Sequence, residues 1–366
     1  MIKIGIIGTG AMAHAHANEF GNIQECKVVA CSDTVPGKAR EFADGHGIPA
    51  AYEDNVEMLD REDLDAVSVV TPDRYHMEPV LQVIERGLHV MCEKPLASSL
   101  EDAQRMTEAA VDRGILTCVN FSYRNAPAVQ EAARMVSDGV LGRIYHVEGS
   151  YLQSWGMTVF IGEMAPGPWW QWRMSTRHGS AGTLGDIGIH LLDLAAFVVG
   201  DIDQISCALR TFDKPVPGVG EYVFDANDSM VSTVGFANGA IGSLHSSRLA
   251  FGHGNTVALR VFGQEGALDI NLDRPEENAL RACLVKNGKP GMFEPGNWEP
   301  VTCLPVPNMY RRFITSILDN RQGQTSFEGA LNVQRYLDAC FRSAASGCDI
   351  GIHSDSQIGA SHAEGI

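Results

Sequence analysis

Short, uninterrupted apolar runs alternate with stretches whose apolar positions recur at helical spacing over the first 120 residues. The runs at 3–7, 27–31, 66–70, 88–91 and 116–119 read as strands covered on both faces, because no alternation with polar positions marks a solvent side. Between them, 79–86 and 100–113 read as helices. Ser98 or Ser99 can cap the second of these, with Glu101 and Asp102 in its first turn, and Gly87 and Gly114 stand where helix ends take a left-handed residue. Strand and helix in alternation predict a parallel sheet wound with crossover helices.

From about Tyr123 the pattern changes. A helix at 128–137 leads through Gly142 into a long alternating run at 143–153, which reads as a strand with one covered face. A second helix is expected at 187–199. Strand-like runs follow at 205–212, 230–236, 240–246, 257–262 and 267–270, joined by short turns such as Ala237-Asn238-Gly239 and Gly263-Gln264-Glu265-Gly266, so antiparallel hairpins are expected. Helices at 309–318 and 330–345 close the chain, and the last dozen residues read as frayed. The fold class predicted is thus α/β followed by α+β: a doubly wound nucleotide-type domain at 1–122, then at 123–366 a domain with a large, mostly antiparallel open sheet flanked by helices. The last helix is free to pack back on the first domain.

Composition narrows the function. With 366 residues, 45% of them hydrophobic and 20% charged, there is enough apolar surface for two cores. A formal charge of −17 argues against nucleic acid and anionic membrane as partners, both of which need clustered Lys and Arg. Neither a secretory signal nor a segment of membrane-spanning length is visible, so a cytoplasmic life is expected. Nine cysteines without a Cys-x-x-Cys pair suit reduced thiols better than a disulfide framework or a zinc site.

The first strand runs into Gly8-Thr9-Gly10-Ala11-Met12-Ala13, a G-x-G-x-x-A turn that opens a helix. The first glycine makes the tight turn, the second lets backbone approach a pyrophosphate, and a small third residue lets helix pack on strand. Phosphates would then meet the unpaired N–H groups of the helix amino end. Without a ligand the same turn is simply a strand-to-helix connection. The second strand ends at Asp33, close to the roughly 20-residue spacing of the carboxylate that holds an adenosine ribose. A carboxylate accepts from a 2′-hydroxyl and repels a 2′-phosphate, which favours NAD over NADP, with Lys38 and Arg40 as the counter-argument.

Two further segments carry chemistry. Thr71-Pro72-Asp73-Arg74-Tyr75-His76 and Cys92-Glu93-Lys94-Pro95-Leu96 each follow a parallel strand, at the sheet edge where ligands bind in open α/β folds. Gly182-Thr183-Leu184-Gly185-Asp186-Ile187-Gly188-Ile189-His190 opens a helix, and residues four apart share a helical face, so Asp186 and His190 project together. Glu-Lys-Pro with Asp-x-x-x-His resembles the glucose-fructose oxidoreductase, inositol dehydrogenase and rhizopine catabolism family, Gfo/Idh/MocA, over nearly the whole chain. Ala13 stands where many relatives carry glycine.

The resemblance implies a Rossmann domain that holds NAD through Gly8, Thr9, Gly10, Ala11, Met12, Asp33, Thr71, Pro72, His76, Glu93, Lys94 and Arg173. It also implies dimers or tetramers built through the second sheet, and oxidation of one secondary hydroxyl of a sugar or cyclitol. Lys94, Asp186 and His190 form the expected catalytic set. His190 suits the general base, because an imidazole titrates near neutrality, while Asp186 orients the hydroxyl and Lys94 stabilises the developing alkoxide. Arg124, Trp172 and Arg173 join them as candidate substrate contacts. By the same resemblance the bond before Pro95 is cis.

Blander readings stand beside these. An isolated histidine on an apolar helix is usually a core residue, and Lys94 alone would be a solvated strand-end charge. His14 and His16 do not share a helix face and have no third ligand, so no metal is expected and a surface or cofactor-edge role is assigned to them. His76 either touches the nicotinamide side or caps the next helix. Tyr151, Gln153, Trp155, Trp169 and Trp170 suit the wall of a sugar site, or packing and oligomer contacts. Two other functions fit the same motifs: an NAD-requiring glycosidase working by transient ring oxidation, and a non-catalytic regulator that senses NAD.

Overall fold

A computed structural model describes residues 1–162, 170–287 and 295–352; Trp169 and the final dozen residues lie outside them. The chain begins β1 (Ile2–Ile7), α1 (Ala11–Gly21), β2 (Cys26–Ser32), α2 (Lys38–His46), β3 (Ala50–Tyr52), α3 (Asn55–Arg61), β4 (Ala66–Val69), α4 (Met77–Glu85), β5 (His89–Cys92), α5 (Leu100–Asp112) and β6 (Thr117–Val119). It continues with α6 (Pro127–Ser137), β7 (Ile144–Leu152), α7 (Met157–Ile161), α8 (Ile189–Val199), β8 (Ile202–Arg210), β9 (Gly218–Val219) and β10 (Tyr222–Val223). Then come β11 (Ser229–Phe236), β12 (Ile241–Ser247), β13 (Thr256–Gly263), β14 (Gly266–Asn271), β15 (Leu280–Leu284), β16 (Glu299–Pro300), α9 (Met309–Asp319), α10 (Phe327–Ser346) and β17 (Ile350–Gly351).

One folding unit joins Met1–Asn125 with Pro307–Gln334. Its six strands are all parallel, in the order β3-β2-β1-β4-β5-β6. Burial explains why they read as solid apolar runs: all four residues of β4 are inaccessible, as both faces of the sheet are covered. The edge strand β3 left no such run, since its three residues are only half-buried. The order reverses beside β1, with β2 on one side and β4 on the other, so the turns after β1 and β4 are neighbours.

The second domain is expected at 123–366 with its last helix free to pack back on the first, and Pro307–Gln334 clusters with the first unit. Met309, Tyr310, Phe313 and Ile314 of α9 are buried in the same cluster as Ala13, Ala17 and Phe20 of α1, which places 307–334 with the first unit. Such a return cannot be read from periodicity, because an amphipathic helix shows its apolar face but not what covers it.

A second unit holds Ala126–Val306 and the chain from Arg335. Its nine-stranded sheet runs β16-β15-β14-β13-β7-β12-β11-β8-β17, and every neighbouring pair is antiparallel except β7 with β12. Helices α6 and α8 lie against one face. On the strands between them the other set of side chains is exposed, including Tyr145, Val231 and Ile241. Buried and exposed positions therefore alternate along β7 and β11, the period-2 signal that the sequence carries. A satellite cluster of Val159, Trp170, Met174 and Phe224 packs the β9–β10 hairpin region against the segment around α7. Among the described residues, no helix is long and apolar enough to cross a membrane.

Candidate active site

In the first unit, Gly8 has φ +89°, and a Cβ there would lie 2.9 Å from the Thr71 N and the Val70 carbonyl, so only glycine lets the two strand-end turns touch. Gly10 caps α1 without any side-chain hydrogen bond to the first amides, and no acid occupies the first turn. By contrast, Ser99 accepts from Asp102 N–H at the start of α5, and Asp54 accepts from Glu57 N–H at the start of α3. Helix α1 alone of these three leaves its positive end open. Space beside Gly10 is clear to 4 Å, as close approach of a pyrophosphate requires.

The Asp33 carboxylate sits against this turn. Its Oδ2 accepts from Thr9 N–H at 2.9 Å and from Thr9 Oγ1 at 2.8 Å, while Oδ1 accepts from Val35 N–H at 2.9 Å. These three donors orient a carboxylate at the end of β2, where a ribose diol would meet it. The residues present therefore fit a dinucleotide held by Gly8, Thr9, Gly10, Ala11, Met12 and Asp33.

The Glu-Lys-Pro turn after β5 is built from buried polar contacts. Glu93 is 8% exposed; its Oε1 pairs with His16 Nε2 at 2.8 Å and accepts from Asn120 Nδ2 at 2.7 Å. Burial pulls the Glu93 carboxyl up, but the hydrogen bonds from His16 and Asn120 and the Lys94 charge prevail and hold it at about 2. His16 is fully buried, with Nδ1 2.7 Å from Ser68 Oγ, so the surface or cofactor-edge role expected for it does not hold. It is a core residue tying α1 to β4 and β5. His14, by contrast, is exposed and contacts His46, Nδ1 to Nε2, at 2.7 Å.

Lys94 is half-buried, its N–H donating to Glu93 Oε2 at 3.2 Å, and the Lys94–Pro95 bond is cis. Thr71 is half-buried and Pro72 exposed beside the glycine turn. His76 is entirely inaccessible, with Nδ1 2.9 Å from the Pro95 carbonyl and Nε2 2.8 Å from the Thr71 carbonyl. It thus has no surface for the cofactor contact expected of it, nor does its side chain cap α4. Arg124 also belongs to the first unit, 8% exposed, donating to the Gln324 carbonyl at 3.2 Å and lying over Phe121.

In the second unit, the helix bearing Asp186 and His190 opens earlier than expected and not as a regular α-helix. Leu184–Gly188 is a π-helical turn, and α8 continues from Ile189. Glycines permit it: a Cβ on Gly185 would lie 2.2 Å from Ala181 Cβ, and one on Gly182, at φ +68°, would strike the Asn227 side chain. Asn227 secures the start, accepting from Leu184 N–H at 2.9 Å and donating to the Ala181 carbonyl at 2.9 Å. Wider turns of this kind occur mostly as local bulges at functional sites.

Asp186 projects from that turn between two guanidinium groups. Arg248 Nη2 lies 2.8 Å from its Oδ2 and Arg173 Nε lies 3.6 Å from its Oδ1. Arg248 is 1% exposed and also donates to the carbonyls of Arg173 and Gly182 at 3.0 and 3.2 Å, with the Trp155 ring 4.9 Å away. Arg173 lies over the Trp172 ring at 4.7 Å. His190 is 6% exposed, its ring centroid 6.2 Å from that of Tyr151. Tyr151 belongs to a polar chain: Tyr151 Oη and Gln153 Nε2 each donate to Asn255 Oδ1 at 2.7 Å, and Trp155 Nε1 donates to Gln153 Oε1 at 2.7 Å. Trp170 turns instead into the satellite core at 1% exposed.

Arg248, Asn227 and Asn255 left no signal in the sequence. Each is a single polar residue at a strand end or loop, and its importance arises from partners more than 40 residues away.

Both units have counterparts among known proteins. Residues 2–121 match the model described as "Oxidoreductase family, NAD-binding Rossmann fold", and 129–269 match the "GFO/IDH/MocA C-terminal domain". A levoglucosan dehydrogenase of Pseudarthrobacter phenanthrenivorans is 30% identical over 301 residues, covering 75% of each chain. The chain belongs to the Gfo/Idh/MocA oxidoreductases. A D-glucoside 3-dehydrogenase of Escherichia coli is 32% identical over 255 residues, or 67% of this chain and 70% of that one. The solved structure of levoglucosan dehydrogenase with NADH and levoglucosan superposes with a TM-score of 0.84 at 26% identity, over 96% of this chain and 100% of the other. As a member of this family the protein is an oxidoreductase acting on CH–OH groups, with an NAD-binding first unit.

Proposed function

We propose that this protein oxidises one secondary hydroxyl of a sugar, a sugar derivative or a cyclitol to the ketone, with NAD favoured over NADP. The observation that carries the reading is Asp186, held by Arg248 and Arg173 at the start of the helix that bears His190. A carboxylate fixed by two cations is oriented to accept a hydrogen bond from a substrate hydroxyl. The proton of the reacting hydroxyl then falls to His190, which takes it on a ring nitrogen. By the family resemblance Lys94 of the first unit is assigned to stabilise the developing alkoxide, and in the second unit Arg173 with Trp172 and the chain Tyr151, Gln153 and Trp155 orients the ring. When bound, NAD supplies the hydride acceptor.

Names of relatives favour a carbohydrate: levoglucosan and a D-glucoside are neutral polyols, and the polar chain beside His190 offers neutral donors and acceptors suited to such hydroxyls. A panel of levoglucosan, methyl glucosides, sugar acids and inositols, scored by NADH absorbance, tests the reading. Net NADH formation with at least one polyol supports it. Aryl-glycoside cleavage without net NADH would replace it with the glycosidase alternative, and absence of both activities would leave the sensing role. We also infer a cytoplasmic homodimer or homotetramer formed through the sheet face that exposes Tyr145, Val231 and Ile241, which light scattering checks.

A further inference from the structure

His76 is a buried histidine whose two ring nitrogens both meet carbonyl oxygens. Nε2 lies 2.8 Å from the Thr71 carbonyl, and Nδ1 lies 2.9 Å from the Pro95 carbonyl and 3.3 Å from that of Leu96. A carbonyl oxygen only accepts, whereas a neutral imidazole has a single N–H and one bare nitrogen. With the neutral ring, one lone pair would face a carbonyl lone pair inside a site closed to water, leaving that carbonyl contact unsatisfied. Both contacts are satisfied only when both nitrogens carry protons.

The surroundings agree. The titratable groups facing the ring are Cys92 on β5, whose thiol also hydrogen-bonds it, and Asp73 in the turn after β4. Burial opposes the cation, while Cys92, Asp73 and the Thr71 carbonyl favour it, and the balance is pushed up to about 10.

The two carbonyls belong to the turns that follow β4 and β5. One turn touches Gly8 through Thr71 and Val70. The other carries Lys94, whose own N–H is held by Glu93 Oε2. His76 secures the residue immediately after Lys94, so the backbone of that lysine is fixed from both sides.

We propose that His76 is an imidazolium clasp: a positioning residue, protonated at neutral pH, that joins the two strand-end turns and thereby sets the place of Lys94. The protonation state stands on geometry alone; the effect on turnover rests on the role given above to Lys94.

Two measurements separate these parts. Full-length protein labelled with ¹⁵N-histidine, with His76 assigned by comparison with His76→Gln, is expected to show two protonated ring nitrogens for His76 at pH 8. One bare nitrogen overturns the clasp. If His76→Gln does not fold, the ring is assigned in wild type through its bonded connectivity to the His76 backbone, and a bare nitrogen there overturns the clasp equally. For the second part, His76→Gln is compared with wild type using NADH binding by fluorescence and turnover of levoglucosan. Expected are a kcat lowered about tenfold or more and an NADH affinity within about twofold of wild type. An unchanged kcat overturns the positioning role. If wild type itself does not turn over levoglucosan, that substrate assignment fails, and exchange of the amides of Glu93, Lys94, Leu96 and Ala97 decides instead: faster exchange in His76→Gln supports the clasp, and equal exchange overturns it.

Discussion

Arg248 Nη2 meets Asp186 Oδ2 at 2.8 Å with the guanidinium almost wholly out of solvent, at 1% exposed. The acid is reached from β12's end and from the π-helical turn, elements 62 residues apart in the chain. Burial lowers the Arg248 guanidinium below its ordinary value and Asp186 offsets that only in part, so the buried cation depends on the acid. Replacing Arg248 with Lys keeps a charge but loses the planar fork that reaches Asp186 and two carbonyls together. Arg248→Lys is expected to lower kcat about 10-fold to 100-fold with NADH affinity unchanged, measured by steady-state kinetics and fluorescence titration. Unchanged kcat would show that Asp186 is oriented without Arg248.

His190→Ala is expected to reduce kcat by about 10²- to 10⁴-fold, the usual contribution of a positioned general base. Loss should lie in kcat more than in KM, since the imidazole acts on the proton rather than on binding. Residual activity should rise with pH as the hydroxyl itself ionises more readily. Full retention of activity would remove His190 from the mechanism.

Asp33→Ala removes the acceptor for Thr9 N–H and Oγ1 and the negative charge beside the ribose position. The ratio of kcat/KM for NAD over NADP should fall at least tenfold, equivalent to about 1.4 kcal/mol. An unchanged ratio would place the discrimination elsewhere, with Lys38 and Arg40 as the residues to test next.

The Glu93 carboxyl is lowered from its ordinary 4.5 to about 2 in the folded protein. Unfolded chain therefore binds more protons than native between these values, and stability contributed by Glu93 is complete above about 4.5 and disappears as pH falls towards 2. Glu93→Gln should flatten the fall in urea midpoint across that interval. An acid limb as steep as that of wild type would assign it to other carboxylates.

His76 has the opposite sign. Its folded value of about 10 exceeds the ordinary 6.5, so its contribution is complete below 6.5 and is lost as pH rises through 10, with Asp73 and Cys92 as the facing groups. Urea midpoints of wild type should decline over that range, and those of His76→Gln should decline less. Equal declines would trace the alkaline loss to other groups.

Legibility in the sequence followed the range of the physics involved. Strands β1, β2, β4, β5 and β6 were visible because burial on both faces demands solid apolar runs, and β7 because one solvated face demands alternation. Ser99 at the start of α5 and the positive φ of Gly87 and Gly114 were visible for equally local reasons. The candidate chemistry of Lys94, Asp186 and His190 was likewise legible, because the motif types lie in short segments.

The sequence by itself thus determined the alternation of elements, the open amino end of α1 and the residues able to move a proton. Tertiary structure decided the rest: that α9 returns to the core around Phe20, that His16 and His76 are buried clasps rather than ligand contacts, and that Arg248 holds Asp186. Each of these depends on a partner brought close only by folding. A polar residue carries no periodic signal of its own, and its charge state and hydrogen bonds follow from neighbours that the local pattern does not specify.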